Sequence, residues 1–335
     1  AQKYTGSQIT PTFTVTIPDK SAAGGTKQLS SNKDIASGYD YTISYGANVN
    51  AGTATVTIVS VTGKSVGTQT KDFVIATNAL TADMVSDVAN STYDGTAQQP
   101  AVTVTFPSVG LLNVGKDYTL TYSNNVNTGT ATITVTGTGN YVGTVTKNFT
   151  IAAKSIGETG STAITATISP MTYAGGLAVK PAIVLYDVAL SKYLVEGTDY
   201  SVSVSDNTSV TNNAKVTLTG LNNYTGTRYE TFAIVETNLS SSVISVADNT
   251  TEYTGKPVTV DFTVQCSTGI KDANGKVIYY SLVKDQDYTV SYNGSTELPS
   301  MIDAGAYYIT ITAKDGSSFT GSNKIAFNIT SKELV

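Results

Sequence analysis

The chain has 335 residues, a formal net charge of −5, only 13% charged residues, and neither histidine nor tryptophan. An acidic balance without any Lys/Arg-rich run argues against nucleic acid, which needs basic groups to neutralise phosphates. Without histidine, Ser-His-Asp and Cys-His nucleophilic catalysis are excluded and the commonest general base and metal ligand is missing.

Hydrophobic residues make up 40% of the chain and tyrosine alone contributes 21, so there is apolar material for packed cores rather than disorder. The polarity comes from Thr, Ser, Asn and Gly, which suits half-exposed strands. No apolar run of 18 residues occurs, so no membrane span is expected. With one cysteine, Cys266, no disulfide can form within the chain. No leader-like segment precedes Ala1, and any export signal is expected to lie outside this sequence.

Taken in order, the chain repeats itself four times. Each unit opens on Tyr-x-Gly, at Tyr4-Thr5-Gly6, Tyr93-Asp94-Gly95, Tyr173-Ala174-Gly175 and Tyr253-Thr254-Gly255. A strand-like run follows: PTFTV (11–15), PAVTV (100–104), PAIVL (181–185) and VTVDFTV (258–264). Next comes Asp-Tyr at Asp40, Asp117, Asp199 and Asp287, heading an alternating strand. The turn after it holds Gly52, Gly129, Asn212 and Gly305, a Gly/Asn exchange that predicts a backbone position with positive φ. An aromatic residue at Tyr141, Tyr224 and Phe319 (Ser65 in unit one) precedes Gly143, Gly226, Gly321 and Gly67 by two positions. A Phe-x-Ile strand closes each unit six residues after that glycine.

These periods predict an all-β fold of four units, 1–77, 78–153, 154–236 and 237–335. The short junctions imply an extended, semi-rigid array. LYDVALSKYLV (185–195) reads as one short helix or as a strand and loop. Units two to four carry strand-like sequence before Tyr-x-Gly, as in MVSDVANST (84–92) and SVISVADNT (242–250), whereas unit one has three residues there. At the other end, 329–335 parallels 234–239 and resembles the start of a further unit. The expectation is a window on a longer array. The runner-up is that unit one borrows a strand from another molecule.

Together Tyr-Asp-Gly at 93–95, Asp-Tyr-x-Leu-x-Tyr, Asn-x-Gly-Thr-Ala-x-Ile-x-Val, Gly-x-Gly-Asn-Tyr-x-Gly-Thr and Phe-x-Ile resemble the bacterial immunoglobulin-like repeats of the YDG/MBG type. Unit two matches nearly throughout, the others through the turns and last strand. The resemblance implies small β-sandwiches in secreted or cell-surface multi-repeat proteins, acting as spacers, adhesins or parts of surface layers. It supplies no catalytic residues. Unit four departs most, through the insertion at 267–283.

Chemistry candidates are few. Cys266, in FTVQCS, reads as a small buried hydrophobe. The recurring Asp40, Asp117, Asp199 and Asp287 occur once per unit, which fits turn caps better than the paired acids of glycoside hydrolysis. Lys271–Lys276 holds Asp272 and Asn274, but its lysines oppose a cation, and Asn-Gly predicts a type I′ hairpin turn. A Lys–Asn isopeptide crosslink through Lys71, Lys147 or Lys324 is a minor alternative, since unit three offers Arg228 and Glu230 in that region. Tyr279, Tyr280, Tyr307 and Tyr308 lie outside the repeat pattern and are the candidate ligand surface, although cross-strand packing explains them too. The expectation is a non-catalytic extracellular spacer without cofactor or metal, whose partners are neighbouring domains of a longer chain. The alternative is an adhesin segment that binds glycan or host protein through units three and four.

Overall fold

In a computed structural model of the chain, residues 1–22, 24–33, 38–63, 66–293 and 301–333 are described; Ser65, Leu334 and Val335 lie outside them. The fold is all-β. The chain divides into two compact units, Ala1–Ala153 and Lys154–Val335, each holding two copies of the sequence repeat.

The second repeat shows why the motifs recur. Strands Tyr118–Ser123, Gly129–Gly137 and Thr144–Ala152 form an antiparallel meander, and Ser91–Thr92 joins its edge in parallel. Period two turns Ala131, Ile133 and Val135 inward, where they are fully buried, and leaves threonines on the outer face. Ala131 faces Phe149 across the ladder. The same four-stranded order returns with Gly52–Ser60, Thr211–Gly220 and Gly305–Ala313 as central strands.

A second, smaller sheet accompanies each meander, and in the fourth repeat residues of both sheets share one buried core. In the third repeat this smaller sheet consists of Ile164–Ile168, Ile183–Asp187 and Lys192–Tyr193; in the fourth, of Val243–Val246, Phe262–Lys271 and Val277–Ser281. In the second, Val85 bridges Val104 antiparallel, beside the pair Thr105–Phe106 and Gly110–Leu111. In the first repeat, among the described residues, Val15–Pro18 pairs with Thr26–Leu29 alone. Segment 185–195 is the end of a strand, a turn with Ser191 at φ 50°, and a two-residue strand.

One turn expectation needs correction. Gly52 and Gly129 have φ of 137° and 127°, but Asn212 and Gly305 are not among the positive-φ residues. The third repeat instead absorbs the turn in a bulge between Thr211 and Ala214. A left-handed residue in all four repeats lies earlier, at Ala47, Asn124 and Asp206, six residues after the tyrosine of Asp-Tyr, and at Asn293, five after it. The 272–275 hairpin turn is not type I′ either. Gly275 donates its N–H to the Asp272 carbonyl at 2.9 Å and alone takes positive φ, while Asn274 does not.

Candidate functional site: the repeat junctions

The recurring aspartate is structural in each repeat. Asp117 Oδ2 accepts the Asn113 N–H at 2.9 Å while the Asp117 N–H donates to the Asn113 carbonyl at 2.8 Å. Asp199 makes the same reciprocal pair with Val195, Asp287 with Val283, and Asp40 with Ser30. The carboxylate thus pins the loop that crosses from one sheet to the other. Charge-assisted bonds of this kind contribute about 1.5–3 kcal/mol. Asp117→Ala should therefore lower the stability of its repeat by that amount in urea unfolding, with Asp117→Asn in between.

An asparagine that the motif reading passed over does similar work. Asn48, Asn125 and Asn207 each donate Nδ2–H to a carbonyl at the head of the opening strand (Ile9, Gln98, Val179) and accept that residue's N–H on their own carbonyl. Its signal was present: each stands seven residues after the tyrosine of Asp-Tyr.

The opening tyrosine and the aromatic residue before the late glycine meet across repeats. In the first compact unit, Tyr4 of repeat one packs edge-on against Tyr141 of repeat two, with ring centroids 5.7 Å apart at 84°. Phe106 lies on the same Tyr141 ring at 5.4 Å. Asn78 donates Nδ2–H to the Tyr4 carbonyl at 2.9 Å, and Asn140 Oδ1 accepts the Ala51 N–H at 2.7 Å. In the second unit, Tyr173 of repeat three meets Phe319 of repeat four at 5.8 Å and 82°, and Tyr280 lies on both rings. Thr237 Oγ1 donates to the Tyr173 carbonyl at 2.8 Å. Gly175 lies against the Tyr280 ring so closely that a Cβ would sit 2.5 Å from it.

The residues that follow each Phe-x-Ile strand complete this geometry. Asn78–Ala79 pairs in parallel with Tyr141–Val142, Lys154–Ser155 with Tyr224–Thr225, and Thr237–Asn238 with Phe319–Thr320. Gly143, Gly226 and Gly321 take φ of 93°, 94° and 73° beside that added strand.

Repeat three holds a charged version of the same position. Asp187 is 0% exposed, and both its oxygens lie 2.7 Å from Lys154 Nζ. Asp187 also accepts the Tyr224 hydroxyl at 3.2 Å and the Leu190 N–H at 3.2 Å. The corresponding residues are Phe106 in repeat two and Cys266 in repeat four, both apolar. The equivalent tyrosine of repeat two, Tyr141, is 1% exposed, and its hydroxyl has no hydrogen-bond partner among the described residues. Burial, with Tyr4 and Asp117 nearby, pushes the Tyr141 phenol up to about 12.

The four tyrosines of the candidate ligand surface do not share a face. Tyr280 is a junction residue whose hydroxyl reaches Thr237 Oγ1 at 3.5 Å, and burial pushes its phenol up to about 12. Tyr307 is in the core of repeat four, donating to the Asp303 carbonyl. Tyr279 and Tyr308 point outward, 47% and 48% exposed, with Lys324 Nζ 4.8 Å over the Tyr308 ring. Tyr186 and Tyr193 meet across strands, their rings tilted by 57° with centroids 4.9 Å apart.

Of the lysines weighed for a crosslink, Lys147 pairs with Asp87 at 3.4 Å and Lys71 is exposed, while Arg228 pairs with Glu230 at 2.7 Å. Cys266 is buried and burial raises its thiol pKa. It should therefore resist a maleimide or aromatic disulfide reagent in the folded chain and react fully only in denaturant. Among the described residues, no group of three or more Asp, Glu or Cys could hold a metal ion, and no helix is long and apolar enough to cross a membrane.

Comparison with known proteins adds little beyond this geometry. No family model and no curated protein matches the chain. Among solved structures, domains 4–9 of the surface layer protein SbsC align over 93% of this chain and 60% of theirs, at 13% identity and a TM-score of 0.17. The protocadherin GammaB4 extracellular domain aligns over 99% of this chain and 65% of its own, at 11% identity and a TM-score of 0.17. The chain thus spans less than two thirds of the length of either, and at that TM-score neither likeness carries an argument about role.

Proposed function

We propose that this chain is a non-catalytic structural segment of a multi-repeat bacterial cell-surface or secreted protein, built from four immunoglobulin-like repeats of the YDG/MBG type. The observation that supports the reading is the fate of the recurring motifs. Asp-Tyr closes a loop, Phe-x-Ile fills the core, and Tyr-x-Gly packs on the next repeat's aromatic residue at both the Tyr4–Tyr141 and Tyr173–Phe319 contacts. What recurs is spent on folding each repeat and joining it to the next. Its partners are then neighbouring repeats, and its work is to hold other domains at a distance.

A second reading, adhesion through repeats three and four, has one observation in its favour: Tyr193, Tyr229, Tyr279 and Tyr308 are all exposed. The two readings separate in a binding screen of the full chain against glycan arrays and surface proteins. The spacer reading expects no saturable binding. Binding that disappears in the Tyr279→Ser/Tyr308→Ser double variant would replace the spacer with an adhesin.

A further inference from the structure

Repeat one has a groove that the other three repeats fill. In repeats two to four, the segment ahead of Tyr-x-Gly lies between the opening strand and the Phe-x-Ile strand. Val85 bridges Val104, Ala166 pairs with Leu185, and Ile244 pairs with Val264. That segment is tied to the Phe-x-Ile strand as well. Thr150 donates its N–H to Asn90, Arg228 Nη1–H donates to the Ile164 carbonyl, and Asn323 Nδ2–H donates to the Ser242 carbonyl.

The residue of repeat one that corresponds to Val104, Leu185 and Val264 is Val15, nine residues after Gly6, as Val104 is nine after Gly95, Val264 nine after Gly255 and Leu185 ten after Gly175. Its strand, Val15–Pro18, pairs with Thr26–Leu29 on one side. Among the described residues no strand pairs with the other side. A cavity of about 500 Å³ opens there, lined by Phe13, Val15, Val56, Ile58, Lys71 and Phe73 among others. Val56, Ile58 and Phe73 are half-buried, whereas their counterparts Ile133, Val135 and Phe149 are fully buried. One buried cluster of repeat one is small, Ile9, Ala54 and Ile75 with Tyr4 and Phe73 packed against it, and Leu29 and Tyr41 are also buried.

We propose that this groove is a strand-acceptor site. Its occupant is an extended segment of the repeat's own leading-strand type, with apolar residues spaced as Leu80 and Val85 are in repeat two, added antiparallel to residues 13–17. Backbone geometry sets the pairing. In repeat two, Thr103 accepts from the Ser86 N–H on its carbonyl and donates its own N–H to Ser86 Oγ at 3.1 Å. Thr14 stands at the corresponding place in repeat one, so its N–H and carbonyl face the groove. Lys71 corresponds to Lys147, the partner of Asp87. An acid two residues beyond the buried valine would therefore meet Lys71 at the rim and help to fix register.

The probe is a synthetic peptide with the sequence of residues 78–90, added to the full chain. The expected result is saturable binding with a dissociation constant on the order of 10–100 µM, since ordering a short strand offsets much of the burial. Thr14 amide exchange should slow on binding. A peptide carrying Leu80→Asp and Val85→Asp should bind at least about tenfold more weakly. As a second arm, the same residues placed directly ahead of Gln2 should protect Thr14 and raise the melting temperature of repeat one by about 5 °C. Either arm succeeding with Thr14 protected upholds the site. Failure of both arms overturns it. So does self-association of the unmodified chain that protects Thr14 without peptide, because the groove would then belong to a second copy.

Discussion

Tyr141→Ala should cost repeat two about 3–5 kcal/mol, the range for emptying a buried aromatic site. Tyr141 is 1% exposed and carries both the Tyr4 and the Phe106 ring contacts. Its removal therefore empties the core of repeat two and the contact with repeat one together. Since domains are stable by roughly 5–15 kcal/mol, this loss is a large fraction of the whole. Urea unfolding should show the midpoint of the first compact unit falling and its transition splitting, as repeat one loses its support. Tyr141→Phe should behave in the opposite way. The buried hydroxyl has no partner among the described residues, so deleting it should leave stability unchanged or raise it by about 1 kcal/mol. Phe319 already occupies this position in repeat four. The phenol's raised pKa gives a further signature. Its stabilising protonation is complete below pH 10 and is lost as pH rises towards about 12. The alkaline limb of unfolding should therefore be shallower in Tyr141→Phe.

Lys154→Met should cost repeat three about 3–5 kcal/mol for a different reason. Asp187 is wholly buried, and removing Lys154 leaves an uncompensated carboxylate in the interior. The double variant Lys154→Met/Asp187→Leu should recover most of that loss, because the Asp187 position is filled by the uncharged Phe106 and Cys266 in repeats two and four, beside the uncharged Asn78 and Thr237 at the Lys154 position. Tyr224→Phe should cost about 1 kcal/mol, since this hydroxyl donates to Asp187, whereas Tyr141→Phe costs nothing. The opposite responses of two tyrosines at the same repeat position are measurable by denaturant titration of the two single variants.

Much of this was legible from spacing. Period-two runs located the meander strands, and the Asp-Tyr spacing located the loop clamp. Both depend on local geometry that sequence repeats directly. The pairing of Tyr-x-Gly with the late aromatic residue was less accessible. The two motifs lie in different repeats, and only the return of the Phe-x-Ile strand beside the next repeat's turn brings Tyr4 to Tyr141. The Gly/Asn exchange misled at Asn212, because repeat three solves the same turn with a bulge. The Lys154–Asp187 pair was visible only as a coincidence: repeat three alone replaces an apolar residue at 187 while placing a lysine at 154. The unlike fates of Tyr279 and Tyr280, and of Tyr307 and Tyr308, follow from strand alternation, which sends neighbours to opposite faces.

Single-molecule force extension of the full chain, held at its two ends, tests the structural role most directly. Folded, load-bearing repeats predict discrete unfolding events. Each should release roughly the extended length of one repeat, about 27 nm for the 76 residues from 78 to 153 at ~3.5 Å per residue, less the size of the folded repeat. Featureless extension at low force, without steps of that length, would contradict the account.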